Sequence, residues 1–318
     1  MSHRVAVNAA GIALGGLALL VAAASPSAQI GEQRLHLNPV IAKLAEGRTV
    51  YGLQAGIEMS IGSARAAARA PADYIYVDME HNPLDMPALY QFHLAMADRA
   101  MVLKKGNLQP NVALMARFPP EADQSGWVVK QALDIGCYGI VWPHVSTVEE
   151  AYNAVSACRY PRLKDKPLYE PQGIRGDGPT QAVRYWGVSQ QEYYDRADVW
   201  PLNPKGEIFV ILMMEDTRGI DSLDRILKEV PGIGAILIGE GDLSQELGYP
   251  RQYEHPEVLK WMARVVDTCK KNNVPVGHPH VDSNNVERVL NEGYRFLMAA
   301  PVRSYTALDK GLKLAGRA

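Results

Sequence analysis

The fold is decided by a continuous apolar stretch, Ile208–Met214 (IFVILMM), which runs directly into Glu215. A second apolar stretch, Ala235–Ile238 (AILI), leads through a short glycine-containing turn into Asp242. Continuous apolar runs indicate strands that are buried on both faces, which is typical of a parallel sheet. The 27 residues from Glu215 to Asp242 match one strand–helix–strand unit, so both carboxylates are predicted at the same end of neighbouring strands.

Two carboxylates that meet at one sheet edge need a positive partner, because burial and mutual repulsion both disfavour their charged forms. Oxygen ligands of this kind suit a hard divalent cation, with Mg²⁺ or Mn²⁺ as the first expectation and Co²⁺ or Zn²⁺ as alternatives. A second interpretation stays open at this point. Glu215 and Asp242 could instead cap the following helices or pair with arginine side chains.

Short apolar runs alternate with helical patterns along the rest of the chain. The predicted pairs are Val50–Leu53 with Ile61–Ala70, Tyr74–Val77 with Met86–Ala97, Val112–Ala116 with Gly126–Ile135, Gly139–Trp142 with Val148–Ala157, Ile208–Met214 with Ile220–Glu229, Ala235–Ile238 with Pro256–Asn272, Val274–Val276 with Asn284–Glu292, and Phe296–Ala299 with Tyr305–Ala315. Eight such units predict an α/β fold, a (β/α)₈ TIM barrel, with a doubly wound open sheet as the alternative.

Composition excludes several other classes of protein. The chain has 318 residues, of which 47% are hydrophobic and 21% are charged, as in an ordinary globular enzyme. Lys and Arg number 33 against 35 Asp and Glu, so no basic excess favours nucleic acid. A small soluble molecule is therefore the expected partner.

The N-terminal residues form a separate segment. Arg4 precedes an uncharged stretch over residues 5–29 that ends in small residues, which predicts a secretory signal peptide. We expect cleavage after Ala24, with Ala28 as the alternative, and one barrel over residues 29–318 in an exported, periplasmic protein. Because the apolar length approaches that of a membrane span, an uncleaved anchor remains the second interpretation.

Residues 159–206 interrupt the strand–helix rhythm. This segment contains six prolines, several glycines and a cluster of aromatic residues between Tyr185 and Trp200. A long insertion of this kind in a compact domain is often functional, so a lid or a subunit contact is expected, with a tolerated surface insertion as the alternative.

Polar residues follow almost every predicted strand, at the point where the strand ends. Active sites of (β/α)₈ barrels are built at that rim. In chain order these residues are Asp78, Glu80, His81, Arg117, His144, Glu215, Asp242, His278 and His280.

Five short motifs make the pattern specific. They are Tyr76-Val77-Asp78-Met79-Glu80-His81, Ala116-Arg117, Gly173-Ile174-Arg175-Gly176, Met214-Glu215-Asp216-Thr217 and Gly239-Glu240-Gly241-Asp242-Leu243-Ser244. In order and spacing they resemble the HpcH/HpaI family of class II metal-dependent 2-keto acid aldolases. The resemblance extends over about residues 51–315. It implies a (β/α)₈ barrel that assembles as a trimer or hexamer, with C-terminal helices exchanged between subunits.

The resemblance also implies roles for individual residues. Glu215 and Asp242 would ligate the divalent metal. Arg117 would lie beside the bound keto acid and stabilise charge on the reacting oxygen. His81 would exchange a proton with the aldol hydroxyl while Asp78 orients its ring.

The substrate pocket implied by the resemblance would include Arg117, Gly241 and Asp242 together with Gln54. Two of these roles have structural alternatives: Arg117 could merely neutralise Glu215, and His81 could be a packed ring. His144, His278 and His280 belong to none of the motifs, so we assign them to the lining of the site rather than to the ligands.

Several positions depart from the usual family pattern. Gln54 stands where an aromatic residue is common, and Glu240 stands where a proline is common, close to the expected cation. These changes predict an atypical substrate and a mouth that disfavours anionic aldols.

The expected function is a metal-dependent carbon–carbon lyase. It would cleave a 2-keto or related hydroxy-carbonyl compound by a retro-aldol reaction in which the metal stabilises the enolate. The alternatives are a hydratase or decarboxylase with the same metal site, or an exported, non-catalytic barrel that binds a small oxoacid.

Overall fold

A computed structural model describes residues 36–54, 58–120 and 122–300. The expected leader (residues 1–24 or 1–28) and the expected last helix (Tyr305–Ala315) lie outside the described residues. No helix within the described ranges is long and apolar enough to span a bilayer.

Eight parallel strands form a closed barrel, as predicted. In ring order they are β1 (Val50–Gln54), β2 (Tyr74–Asp78), β3 (Ala113–Arg117), β4 (Gly139–Trp142), β6 (Ile208–Met214), β7 (Ala235–Ile238), β8 (Val276–His278) and β9 (Phe296–Ala299). β9 pairs with β1, with Val50 opposite Phe296, and β4 pairs with β6, with Ile140 opposite Val210. The open doubly wound sheet is therefore excluded. A two-residue strand, β5 (Val199–Trp200), extends β6 outside the ring.

Helices surround the barrel. They are α1 (Pro39–Ala45), α2 (Ile61–Ala67), α3 (Met86–Met96), α4 (Arg99–Lys105), α5 (Ala122–Asp134), α6 (Val148–Ala157), α7 (Thr180–Trp186), α8 (Gln190–Arg196), α9 (Thr217–Glu229), α10 (Glu240–Glu246), α11 (Pro256–Lys271) and α12 (Val286–Glu292). Side-chain caps mark the residues at which several helices begin. Thr147 and Glu150 form a capping box on α6, and Asp216 accepts from the Gly219 N–H on α9.

The barrel interior is filled by side chains rather than left as a pore. All seven residues of β6 are buried. The Tyr74 and Phe296 rings stack at 4.5 Å, and the Phe209 ring lies 5.8 Å from Phe296. These rings come from strands that are not neighbours, so they meet inside the ring of strands. Gly52 on β1 makes room for them, because a Cβ atom there would lie 2.1 Å from the Tyr74 ring.

The inserted segment is anchored at the end of the barrel where the strands begin. The Trp186 ring of α7 stacks on Tyr138 at 5.2 Å, and its indole N–H donates to the Gly136 carbonyl just before β4. Arg175 of the glycine-flanked motif donates to Asp134 and to the Tyr193 hydroxyl, so it tethers its own loop. These contacts lie at the opposite end of the barrel from the rim where the active site is expected. They therefore give no support to the expectation that the segment is a lid over the active site.

Candidate functional site

The polar residues expected at the rim do converge there. Asp78 and Arg117 are the last residues of β2 and β3, and Glu215 directly follows β6. Neither expected ligand acts as a helix cap: Asp216 caps α9, and Gly239 occupies the cap position of α10. The capping interpretation of the carboxylates is therefore wrong.

His144, Glu215 and Asp242 form the central cluster. Their ligand atoms all lie within 4.8 Å of one another. Glu215 is 3% exposed, and its Oε1 accepts from the His144 backbone N–H and lies 3.5 Å from His144 Nδ1. Its Oε2 is buried and has no hydrogen-bond partner among the described residues. A buried carboxylate oxygen without a donor is the feature that a bound cation would satisfy.

Local backbone geometry creates this cluster. His144 has a φ of 53°, in the left-handed region that non-glycine residues rarely adopt, and this conformation points its N–H at Glu215. Gly239 passes so close to Glu215 that an added Cβ would lie 2.3 Å from Oε2. His144 was assigned to the lining from the sequence, and the structure places its ring beside the expected ligands Glu215 and Asp242. The sequence does not reveal this positive φ.

The electrostatics of the cluster also favour a cation. Burial raises the pKa of Glu215 to about 7, and the negative charges of Asp242 and Glu80 add to this effect. A hydrogen bond to Glu80 raises the pKa of His144 to about 9, together with the charges of Glu215 and Asp242. Two carboxylates and an imidazole therefore fit a divalent metal, whose charge would replace the protons that the site otherwise attracts.

Arg117 is the positive group of the adjacent cluster. Its Nε and Nη2 donate to Asp78 at 2.9 and 2.7 Å, and its Nη1 lies 3.0 Å from Glu80 Oε2. Burial raises the pKa of Asp78, but the Arg117 hydrogen bonds outweigh this effect and leave the pKa below its ordinary value. The alternative in which Arg117 merely neutralises Glu215 does not match these contacts.

Glu80 links Arg117 to the central cluster. One oxygen faces Arg117, and the other lies 3.3 Å from His144 Nε2. Glu80 was expected at the rim but not among the catalytic, substrate-binding or metal residues. The signal available for it was its position two residues after β2.

His81 differs from the expected arrangement. Its side chain is 61% exposed, and its Nε2 lies 3.7 Å from Glu80 Oε2. Asp78 accepts from the His81 backbone N–H at 3.5 Å, but both carboxylate oxygens are held by Arg117. The structure therefore does not pair the Asp78 carboxylate with the His81 ring, as had been expected. A fork of guanidinium donors competes better for that carboxylate than an exposed ring does.

The remaining expected pocket residues border the same rim. Gln54 is the last residue of β1 and pairs in register with Tyr76 of β2. Gly241 lies in the first turn of α10, and a Cβ there would have nothing within 4 Å. Gly241 therefore leaves space for a ligand, and the roles of both residues stay predictions.

A closed parallel barrel with a divalent-metal ligand set and a buried arginine at its C-terminal rim defines a metal-dependent enzyme of (β/α)₈ type. The particular family follows from comparison with known proteins. Residues 60–301 match the family model described as HpcH/HpaI aldolase/citrate lyase, so the chain belongs to this family, as the motifs predicted.

Individual relatives agree with the family assignment. The chain is 31% identical over 279 residues to a 2-keto-3-deoxy-L-rhamnonate aldolase of Klebsiella pneumoniae, covering 87% of this chain and 92% of that protein. It is 28% identical over 264 residues to a hydroxypyruvate/pyruvate aldolase of Roseobacter denitrificans, covering 83% and 91%. A family member from Burkholderia cenocepacia has a similar solved structure, with a TM-score of 0.68, 26% identity, and 88% and 98% coverage. The protein is a metal-dependent aldolase, a lyase that acts on a small molecule.

Proposed function

We propose that this aldolase cleaves an aldol of a 2-keto acid and releases a pyruvate-type fragment, with Mg²⁺ or Mn²⁺ as its metal. The names of the two similar aldolases, which both denote 2-keto acids, support this substrate class. One structural observation carries the proposal: the buried, unpartnered Oε2 of Glu215 lies in a cluster with Asp242 and His144.

Each residue would contribute a defined part of the reaction. Glu215 and Asp242 would hold the cation, with His144 as a third ligand. The bound cation would supply Lewis-acid polarisation of the keto group. Arg117, kept in place by Asp78 and Glu80, would stabilise the negative charge that develops on the reacting oxygen. His81, at the exposed edge, would exchange the proton of the aldol hydroxyl with water.

The metal site is tested by calorimetric titration of Mn²⁺ into metal-free protein. Glu215→Gln and Asp242→Asn should each abolish binding, because a neutral amide is a poor ligand for a hard cation. Glu229→Gln, an exposed carboxylate at the end of α9, is the matched control and should bind as the wild type does. Unchanged Mn²⁺ affinity in Glu215→Gln would contradict the assignment.

Substrate class is tested with the metal-loaded wild type. Pyruvate release should be measured from oxaloacetate, whose decarboxylation needs only a bound keto acid and the metal, and from a panel of 2-keto aldols. Release from oxaloacetate without cleavage of any aldol would instead favour the decarboxylase alternative.

Export and assembly are further parts of the proposal. The stretch after Arg4 supports secretion. An intact mass that begins at Ser25 in the periplasmic fraction is the expected result, whereas a full-length mass in the membrane fraction would favour the anchor. Assembly as a trimer or hexamer is supported by the family resemblance, and light scattering measures it directly.

A further inference from the structure

A second polar cluster lies beside the metal site and is not used by the proposed chemistry. It consists of Glu240 in the first turn of α10 and of His278 and His280 at the end of β8. Glu240 is only 2% exposed, so its charge does not face the mouth of the barrel as the sequence suggested. Its Oε1 lies 2.5 Å from His280 Nδ1, and its Oε2 lies 3.7 Å from His278 Nε2.

The polar neighbours of both rings indicate a tautomer for each. The backbone N–H of His280 donates to His278 Nδ1 at 3.2 Å, so that nitrogen carries a lone pair and the His278 proton lies on Nε2. In its Nδ1–H tautomer, the His280 ring donates to Oε1 of Glu240. In that tautomer Nε2 of His280 presents a lone pair, for which the described residues show no partner.

The His280 ring is held in place but not covered. The Tyr253 ring stacks on it, with centroids 5.4 Å apart and planes 8° from parallel. The His280 side chain is nevertheless 50% exposed. A buried carboxylate on one side and a stacked ring on another thus orient an accessible acceptor nitrogen.

The first turn of α10 connects this cluster to the metal site. Asp242 points to Glu215 and His144, whereas Glu240, two residues earlier, points to the end of β8. β8 neighbours β7 in the barrel, so His280 lies next to the metal cluster along the same rim. A substrate whose keto acid end is held at the metal can extend its other end toward this nitrogen.

We propose that Nε2 of His280 accepts a hydrogen bond from a hydroxyl group on the aldehyde-derived part of the substrate. This inference rests on the proposed function. The enzyme then prefers aldols of hydroxyaldehydes to those of unsubstituted aldehydes. The lone pair on Nε2 can pair only with a hydrogen-bond donor. A hydroxyl group is such a donor, whereas an ionised carboxylate or an alkyl group is not. Glu240 acts through His280 as a positioning residue.

The activity test uses a pair of aldehydes that differ by one hydroxyl. Condensation of pyruvate with glycolaldehyde and with acetaldehyde is measured, and the ratio of the two kcat/KM values is compared between variants. In His280→Phe this ratio should fall about tenfold, the discrimination expected from one net hydrogen bond. His280→Gln, whose amide oxygen reaches the place of Nε2, should recover part of it. His36→Gln, near Glu207 where β6 begins, is the matched control and should keep the wild-type ratio.

A spectroscopic readout tests the positioning role without turnover. In metal-free protein at alkaline pH, ¹⁵N correlation spectra should show the Nδ1–H tautomer of His280 in the wild type. Glu240→Ala should shift it toward the Nε2–H tautomer and reduce the aldehyde ratio. Glu240→Gln, which keeps an acceptor oxygen, should preserve both.

The outcomes distinguish a failure of this inference from a failure of the proposed function. An active wild type whose ratio is unchanged in both His280 variants overturns this inference and leaves the proposed function intact, and so does an Nε2–H tautomer in the wild type. A wild type that binds metal but condenses neither aldehyde overturns the proposed function together with the inference.

Discussion

Arg117 and Asp78 form a two-point ion pair across the ends of β3 and β2, with nitrogen–oxygen distances of 2.9 and 2.7 Å. The two residues are also directly opposite each other in the strand register. The pair fixes the plane of the guanidinium while Nη1 faces Glu80. Asp78 therefore orients the arginine rather than the ring of His81.

The geometry of this pair predicts the effect of a charge-conserving change. Arg117→Lys should lower kcat for pyruvate release by about 10²-fold, because an ammonium cannot satisfy two carboxylate oxygens and also reach the developing charge. Steady-state kinetics measure the effect. Arg225→Lys, an exposed arginine on α9, is the control. Near-full kcat in Arg117→Lys would contradict the role proposed for the guanidinium.

Close packing of Gly239 against Glu215 predicts a metal-binding defect from a single methyl group. In Gly239→Ala the new Cβ would lie 2.3 Å from Glu215 Oε2, so the carboxylate must move and Mn²⁺ affinity should fall at least ~10-fold. Gly62→Ala is the matched control, since its Cβ meets only the Ser60 hydroxyl at 3.8 Å. Calorimetry compares the two variants. Equal affinities would show that Glu215 does not bind the metal in this conformation.

The burial of His93 predicts that the folded protein becomes less stable as the pH falls. Burial lowers the pKa of His93 to about 3, far below the ~6.5 of an exposed histidine. Below pH ~6.5 the unfolded chain therefore binds a proton that the folded chain excludes, and stability is lost as the pH falls toward 3. By pH 4.5 this one group should cost about 3 kcal/mol, at ~1.4 kcal/mol per pH unit.

A phenylalanine at position 93 separates this effect from the titration of other groups. His93→Phe keeps an aromatic ring against Tyr185, which stacks on His93 at 3.7 Å. Urea unfolding at pH 7.5 and pH 4.5 should show a smaller loss of stability for the variant than for the wild type. The same loss in both proteins would contradict the buried, neutral state of His93.

The contacts of Asp198 predict that the stability of the inserted segment depends strongly on one buried charge. It accepts from Arg159 at 2.7 Å and from Arg162 at 2.6 Å, and Arg159 is fully buried. Asp198→Asn leaves that arginine without its counter-charge, so the free energy of unfolding should fall by about 3–5 kcal/mol. Urea denaturation is the measurement. Asp221→Asn removes an exposed partner of Arg264 and should cost under ~1 kcal/mol; a similar cost in both variants would contradict the anchoring role.

Local sequence determined the barrel and its expected ligands. Apolar runs such as Ile208–Met214 identify strands because burial on both faces requires apolar side chains at consecutive positions. That strand and three others, β4, β7 and β9, have the predicted bounds, whereas β8 begins two residues later than expected. The two carboxylates after β6 and β7 are likewise properties of strand order, so their proximity follows once the strands pair in parallel.

Tertiary structure decided which side chains meet across the rim. His144 joins Glu215 only because β4 pairs with β6 across the inserted segment and because the histidine backbone is left-handed. Neither feature leaves a periodic trace in the sequence. Short helices such as α7, α8 and α10 were also missed, since each is too short for a clear helical period.

The same distinction holds for Asp78 and Glu240. The sequence placed both at the rim, but the partner of each carboxylate depends on which donors the closed barrel brings within about 3 Å. Asp78 is paired with Arg117 rather than with the exposed ring of His81, and Glu240 is paired with His280 at the end of β8. Strand pattern determined the positions of these charges, and the packing of the closed barrel decided their pairing, because hydrogen bonds form between neighbours in space that sequence spacing does not specify.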